Sequence, residues 1–313
     1  MKTLSLYVLL VLTAFSCTGE VRNPIDSLLP INDTDLYVRA FGEGTPLLVI
    51  HGGPGLSHDY FLPHLEELAK TNYLIFYDHR GAGRSSMNQD STTMNLSTFV
   101  EDIESIRKHF NIEHIDILAH SWGALLAVNY AVSHSEHLGK LILSNPSPLN
   151  QQYNAQIGAL QAAAFTDTYT QKRNNILNSE AFKNRDIAAF EDLFKLNFSL
   201  TFKDSTNLEK LNLNFLDTFL TGNQLLQSFS GLESYDYYED VGKISSPVLV
   251  MRGAFDLSSP NADQRTSVSF QNGILFEFHH SGHFPFIEEQ ELFVEKVHAF
   301  LSRTPKSTGH SHD

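Results

Sequence analysis

Residues 115–127 read Ile115-Asp116-Ile117-Leu118-Ala119-His120-Ser121-Trp122-Gly123-Ala124-Leu125-Leu126-Ala127. The apolar run Ile115, Ile117, Leu118 predicts a buried strand, and residues 124–131 predict a helix packed on a sheet. Between them a serine stands at the centre of a pentapeptide with small residues, Ala119 and Gly123, at both ends. A tight strand-to-helix turn of this kind presses the chain two residues before the serine against the chain two residues after it. Only small side chains fit there, and the turn holds Ser121 strained with its hydroxyl exposed. The first small residue is alanine where the pattern usually has glycine. The competing reading of the same stretch is a serine that caps a buried helix. The rest of the chain decides between the two.

Other strand ends carry similarly unusual loops. Leu36, Val38 and Ala40 alternate as a strand, Gly42-Glu43-Gly44 is a turn, and residues 47–50 return into His51-Gly52-Gly53-Pro54-Gly55. Glycines at a strand's C-terminal edge let backbone N–H groups approach a ligand closely. Residues 61–70 predict a helix with Leu62, Leu65, Leu68 and Ala69 on one face. Residues 73–77 predict a strand, followed by Asp78-His79-Arg80-Gly81-Ala82-Gly83-Arg84-Ser85, a turn in which Asp78 and Arg80 orient loops. Phe99, Val100, Ile103, Ile106 and Phe110 mark a helix with a wide apolar face, and residues 141–143 another strand. Strands alternating with helices predict an α/β fold with a mostly parallel central sheet.

From Asn145 to about Asp240 the pattern changes. There is no buried-strand signature, and Phe190, Leu193, Phe194 and Asn197, like Phe215, Leu216, Phe219 and Leu220, recur at helical spacing. This predicts a helical cap at 145–240, inserted after the strand that follows the helix of the serine turn. Most of its phenylalanines are assigned to the cap's own core and some to the substrate side. The core is then 31–144 and 241–303. It resumes with a strand at 247–251 ending in Arg252-Gly253-Ala254-Phe255-Asp256, a helix at 261–270 and a strand at 274–278. The loop His279-His280-Ser281-Gly282-His283 follows, then a last helix at 289–301.

The chain has 313 residues with 42% hydrophobic and 19% charged, ample for one large globular core. Its formal charge of −14 argues against nucleic acid and anionic membrane surfaces as partners. No glycine-rich phosphate loop and no paired Cys/His metal spacing occurs, so neither a cofactor nor a metal is implied. At the N-terminus, Lys2 and the apolar stretch 4–15 read as a signal peptide over 1–17. Cys17 is the only cysteine, so no intramolecular disulfide can form. Ala14-Phe15-Ser16-Cys17 resembles a loose bacterial lipobox, which implies export and a lipid anchor on Cys17 in the cell envelope. Plain secretion and an uncleaved anchor are the alternatives. Residues 18–30 read as a tether, and 304–313, with His310 and His312, as a disordered tail.

A serine hydroxyl needs a base to take its proton and donors to hold the oxyanion that forms. Imidazole is the apt base, and a carboxylate on its far nitrogen fixes the tautomer. Ser121, Asp256 and His283 follow predicted strands in the order Ser, Asp, His. His279 and His280 rival His283 but lie too close to the strand end. Asp263 rivals Asp256 but falls inside a predicted helix.

His51-Gly52-Gly53-Pro54-Gly55, residues 78–85, Ser121-Trp122-Gly123, Gly253-Ala254-Phe255-Asp256 and Ser281-Gly282-His283 together resemble the proline iminopeptidase family of α/β-hydrolases, over residues 36–301. The resemblance implies an α/β-hydrolase fold and oxyanion donors at the backbone N–H groups of Gly53 and Trp122. It also implies a serine exopeptidase that releases an N-terminal residue, often proline, from short peptides. In family members that act as aminopeptidases, carboxylates near the site bind the substrate's free amine. Here Leu257 follows Asp256 and the cap offers the amide Gln224, so Glu233 and Glu239 are the candidate replacements. The alternatives are a carboxylesterase or lactonase on the same scaffold, and a non-catalytic binding protein. Dehalogenase and epoxide hydrolase chemistry needs aspartate where this chain has Ser121.

Overall fold

The computed structural model describes residues 22–303, so Cys17, the signal segment and the tail lie outside the described residues. Eight strands form one sheet: β1 (Ile25–Ile31), β2 (Thr34–Gly42), β3 (Thr45–Ile50), β4 (Asn72–Tyr77), β5 (Ile115–His120), β6 (Leu138–Ser144), β7 (Val248–Gly253) and β8 (Gly273–Phe278). Their order is β1-β2-β4-β3-β5-β6-β7-β8. β1 and β2 run antiparallel at one edge, and every pairing from β4 to β8 is parallel. The helices are α1 (Leu96–His109), α2 (Trp122–Ser133), α3 (Gln151–Ala163), α4 (Asp167–Asn178), α5 (Glu180–Lys183), α6 (Ile187–Phe198), α7 (Phe219–Leu226), α8 (Tyr238–Val241), α9 (Pro260–Ser269), α10 (Pro285–Glu288) and α11 (Gln290–Leu301).

The sheet is buried on both faces, which is why its central strands are apolar throughout. In β3, Leu48 and Ile50 join α1 and α2, whereas Leu47 and Val49 join α10 and α11 on the opposite face. Helix α2 behind the serine turn is buried on nearly every side, as its apolar sequence requires.

Two expectations are corrected. The stretch 18–30 is not all tether: β1 begins at Ile25 and pairs with β2 along its length. The hairpin is closed by Asn32-Asp33, both at positive φ (44° and 64°), a two-residue turn suited to strand twist. That dipeptide is the signal that could have revealed the strand. Pro30 is tolerated because β1 is an edge strand. The helix expected at 61–70 is instead two short 3₁₀ turns, His58–Phe61 and Glu66–Lys70. Pro63 forces Leu62 into extended backbone (φ −103°, ψ 138°) and the apolar spacing cannot override that.

Between β6 and β7 the described chain is helical, from α3 through α8. Phe215 stacks on Phe219 there, and Phe194 meets both rings edge to face. Phe198 and Phe202 pack instead on Phe284, next to His283. Full burial of such a ring contributes about 1.5–3 kcal/mol, so this contact fastens the helical layer over the C-terminal strand ends beside the site.

Candidate active site

The turn at Ser121 has the geometry its sequence demands. Ser121 sits at φ 55°, ψ −124°, outside the usual range for a residue with a side chain, a strain worth about 1–3 kcal/mol. Its N–H donates to the Ser144 carbonyl, and its carbonyl accepts from Ala124 and Ser147 N–H groups, so β6 and α2 impose the conformation. A Cβ on Gly123 would stand 2.3 Å from the His51 carbonyl oxygen, and one on Gly52 would stand 2.6 Å from the Ser121 Cβ. Glycine at these two positions is what lets the β3 loop close over the serine.

Ser121, His283 and Asp256 form one hydrogen-bonded row. His283 Nε2 lies 3.0 Å from Ser121 Oγ, and His283 Nδ1 lies 2.9 Å from Asp256 Oδ2. Asp256 is carried on the β7 turn, whose Ala254 and Phe255 N–H groups bond to Phe278 and Ser281. The His283 backbone N–H donates to Thr201 in the cap. Burial pushes the Asp256 pKa up, but His283 and the Asn145 amide outweigh it and hold the carboxyl below its usual range. Asp256 is therefore ionised where it can orient the imidazole and stabilise its protonated form.

Asn145, which sequence reasoning passed over, completes the acid's setting. Its Nδ2 donates to Asp256 Oδ2 (2.8 Å) and to the Gly282 carbonyl (3.1 Å), tying the acid loop to the histidine loop. Asn145 directly follows β6 at φ 46°, a left-handed conformation asparagine tolerates well.

Two further unforeseen residues, Tyr60 and His120, brace the site from below. Gly52 N–H donates to the Tyr60 hydroxyl, which donates to His120 Nδ1 (2.9 Å), and His120 Nε2–H donates to the His283 carbonyl (2.9 Å). Burial first, then the neighbouring His283, holds the His120 pKa well below normal, so its ring is neutral and can accept and donate at once. This row links the Gly52-Gly53 loop to His283.

Gly53 and Trp122 flank Ser121 on the cavity wall. Among the described residues neither backbone N–H has a protein acceptor, so both are free to hold an oxyanion, with Trp122 at the N-terminus of α2. His279 and His280 face away: His279 is exposed beside Glu277, and His280 meets Lys203. Asp263 pairs with Arg252 and Ser258 in α9. Asp78 is buried, accepting from His58 and the Arg84 backbone N–H, and Arg80 is buried against Asp102; both organise loops.

The serine opens on a cavity of about 550 Å³ whose far wall is made by α3, α4 and α6. Neither Glu233 nor Glu239 lines it. Both are exposed, as is Gln224, and Glu233 accepts from its neighbour Gly231 N–H. The expected replacement of an amine-binding carboxylate by these residues is therefore not what the structure has. Only the placement of the cap could reveal this, and Leu257 does line the cavity beside Asp256. Among the described residues no group of three or more His, Cys, Asp or Glu side chains is arranged to hold a metal ion.

The profile of the alpha/beta hydrolase fold family matches residues 45–290. A proline iminopeptidase of Heyndrickxia coagulans is 30% identical over 269 residues, covering 83% of this chain and 92% of the relative. Among solved structures, a proline iminopeptidase of Mycobacterium smegmatis aligns with TM-score 0.63 at 20% identity, over 88% of this chain and 97% of the other. An esterase of Exiguobacterium antarcticum aligns with TM-score 0.66 at 20% identity, over 89% and 100%. Shared fold, family profile and relatives of nearly equal length agree: the chain belongs to the proline iminopeptidase family of α/β-hydrolases.

Proposed function

We propose that the protein is a serine hydrolase that cleaves small carboxylic esters or lactones through an acyl-enzyme on Ser121. One observation carries the reading: the Ser121–His283–Asp256 row opens on a cavity in which Asp256, already engaged, is the only carboxylate among the described lining residues. In the first step His283 Nε2 takes the Ser121 proton as Oγ attacks the carbonyl carbon. The oxyanion settles on the Gly53 and Trp122 N–H groups. Asp256 holds the imidazolium until it passes the proton to the leaving alcohol. In the second step His283 deprotonates water, which releases the acid and restores the serine.

The second reading is an exopeptidase that releases an N-terminal residue, often proline, from short peptides. The 30% identity to the Heyndrickxia coagulans proline iminopeptidase favours it. Against it stands Leu257 and the absence of a free carboxylate for the substrate's ammonium group among the described cavity residues. Charged hydrogen bonds contribute about 1.5–3 kcal/mol each, so a peptidase without one discriminates poorly for free amines. Parallel assays of proline, alanine and leucine anilides against short-chain nitrophenyl esters test the choice. Anilide turnover that matches or exceeds ester turnover after allowing for chemical reactivity selects the peptidase. The N-terminal pattern supports a further part of the proposal, export and lipid attachment at Cys17.

A further inference from the structure

Helix α4 is polar, and only Tyr169, Arg173, Ile176 and Leu177 along it are not exposed. These positions recur at helical spacing and form its inward stripe. An arginine thus occupies a place where the helix otherwise turns tyrosine and aliphatic side chains inward. Tyr169 and Arg173 both reach the cavity wall. Arg173 lies near enough for its charge to oppose the rise that burial imposes on the Tyr169 phenol.

Arg173 has no ion pair or side-chain hydrogen bond among the described residues. In the neighbouring helices Glu180 is held by Lys183 and Glu191 by Lys195. The acidic and basic side chains on the described cavity wall are therefore Asp256 and His283, which are bound to each other, and Arg173. The same cavity is lined by Ile157, Phe165, Phe194 and the amides Asn154 and Gln161. A half-buried guanidinium facing such a wall lacks the partner that its planar fork of donors fits best, a carboxylate. The field of a chain with net charge −14 draws cations and repels anions overall, so an unpaired arginine inside the cavity sets a local preference against that field. It also makes the cavity hostile to a substrate ammonium group, in keeping with Leu257 beside the acid.

We propose that Arg173 anchors a carboxylate of the substrate, so that the enzyme acts on small esters or lactones carrying a carboxylate remote from the scissile bond. The proposal rests on the serine hydrolase reading and names its substrate class. The test uses pairs of esters matched in length, one ending in methyl and the other in carboxylate. One series carries that end on the acyl chain and a second carries it on the alcohol. The readout is the ratio of kcat/KM for carboxylate over methyl. We expect the ratio to exceed one in at least one series, to fall about tenfold or more in Arg173→Met, and to be partly restored in Arg173→Lys. As a readout independent of turnover, glutarate should bind the Ser121→Ala protein more tightly than hexanoate does, and Arg173→Met should erase the difference. A ratio below one in both series, or one that Arg173→Met leaves unchanged, overturns the anchor. In that case Ser121-dependent hydrolysis of the methyl-ended esters would still support the hydrolase. If neither series is hydrolysed and a fluorophosphonate fails to label Ser121, the hydrolase reading falls and the anchor with it.

Discussion

Replacing Tyr60 with phenylalanine removes one oxygen from a largely buried row and nothing else. The Tyr60 hydroxyl accepts from Gly52 N–H and donates to His120 Nδ1, and both partners are buried. Without it, a backbone donor and an imidazole acceptor are each left unsatisfied, at about 1–3 kcal/mol apiece. The total is about 2–6 kcal/mol, a large part of the roughly 5–15 kcal/mol that typically separates folded from unfolded. For a chain of this size about 2 °C is lost per kcal/mol, so Tm should fall by roughly 4–12 °C. Activity should fall as well, because the row fixes the loop bearing Gly53 at one end and the His283 carbonyl at the other. About tenfold in kcat, with KM little changed, is the expected split for a loosened oxyanion loop. Calorimetry and ester kinetics on the purified variant measure both. A Tm within about 2 °C of the parent and kcat within twofold would refute the reasoning.

Ser121→Ala should lose several powers of ten in turnover with the fold intact; more than about a tenth of parental activity would remove Ser121 from the nucleophile's role. His283→Ala should be nearly as damaging and Asp256→Asn should cost about 10⁴, because an amide favours the wrong tautomer, whereas His279→Ala and His280→Ala should be mild; kinetics that made either of those two essential would reverse the assignment. Acetylating the amine of an anilide substrate should change kcat/KM by less than about threefold, since the described cavity wall offers that amine no free carboxylate. A loss of ten- to a hundredfold would restore the peptidase reading, and Leu257→Glu should then improve free-amine substrates. Cys17→Ser should release the protein from a bacterial membrane fraction or leave it unprocessed, and an intact mass with unmodified Cys17 would refute lipidation.

What the sequence determined by itself is local. The Ser121 turn could be read because close backbone approach admits only small neighbours, and the order of Ser121, Asp256 and His283 could be read because each follows an apolar strand. Gly52, Gly123 and Gly282 are of the same kind, since a side chain at any of them would strike backbone or a neighbouring side chain. Proline at position 63 and the Asn32-Asp33 turn were equally local signals, and each outweighed or escaped a reading based on apolar spacing. The tertiary structure alone decided the rest. Asn145 meets Asp256 across 111 residues and Tyr60 meets His120 across 60, and no periodicity encodes a partner so distant. The cap shows the same limit most sharply: Glu233 and Glu239 look like ligands on paper and face solvent, while Arg173, unremarked in a polar helix, lines the cavity. Which side chain of a helix meets a substrate depends on how that helix docks on the sheet, and docking is set by packing that many residues share rather than by any one of them.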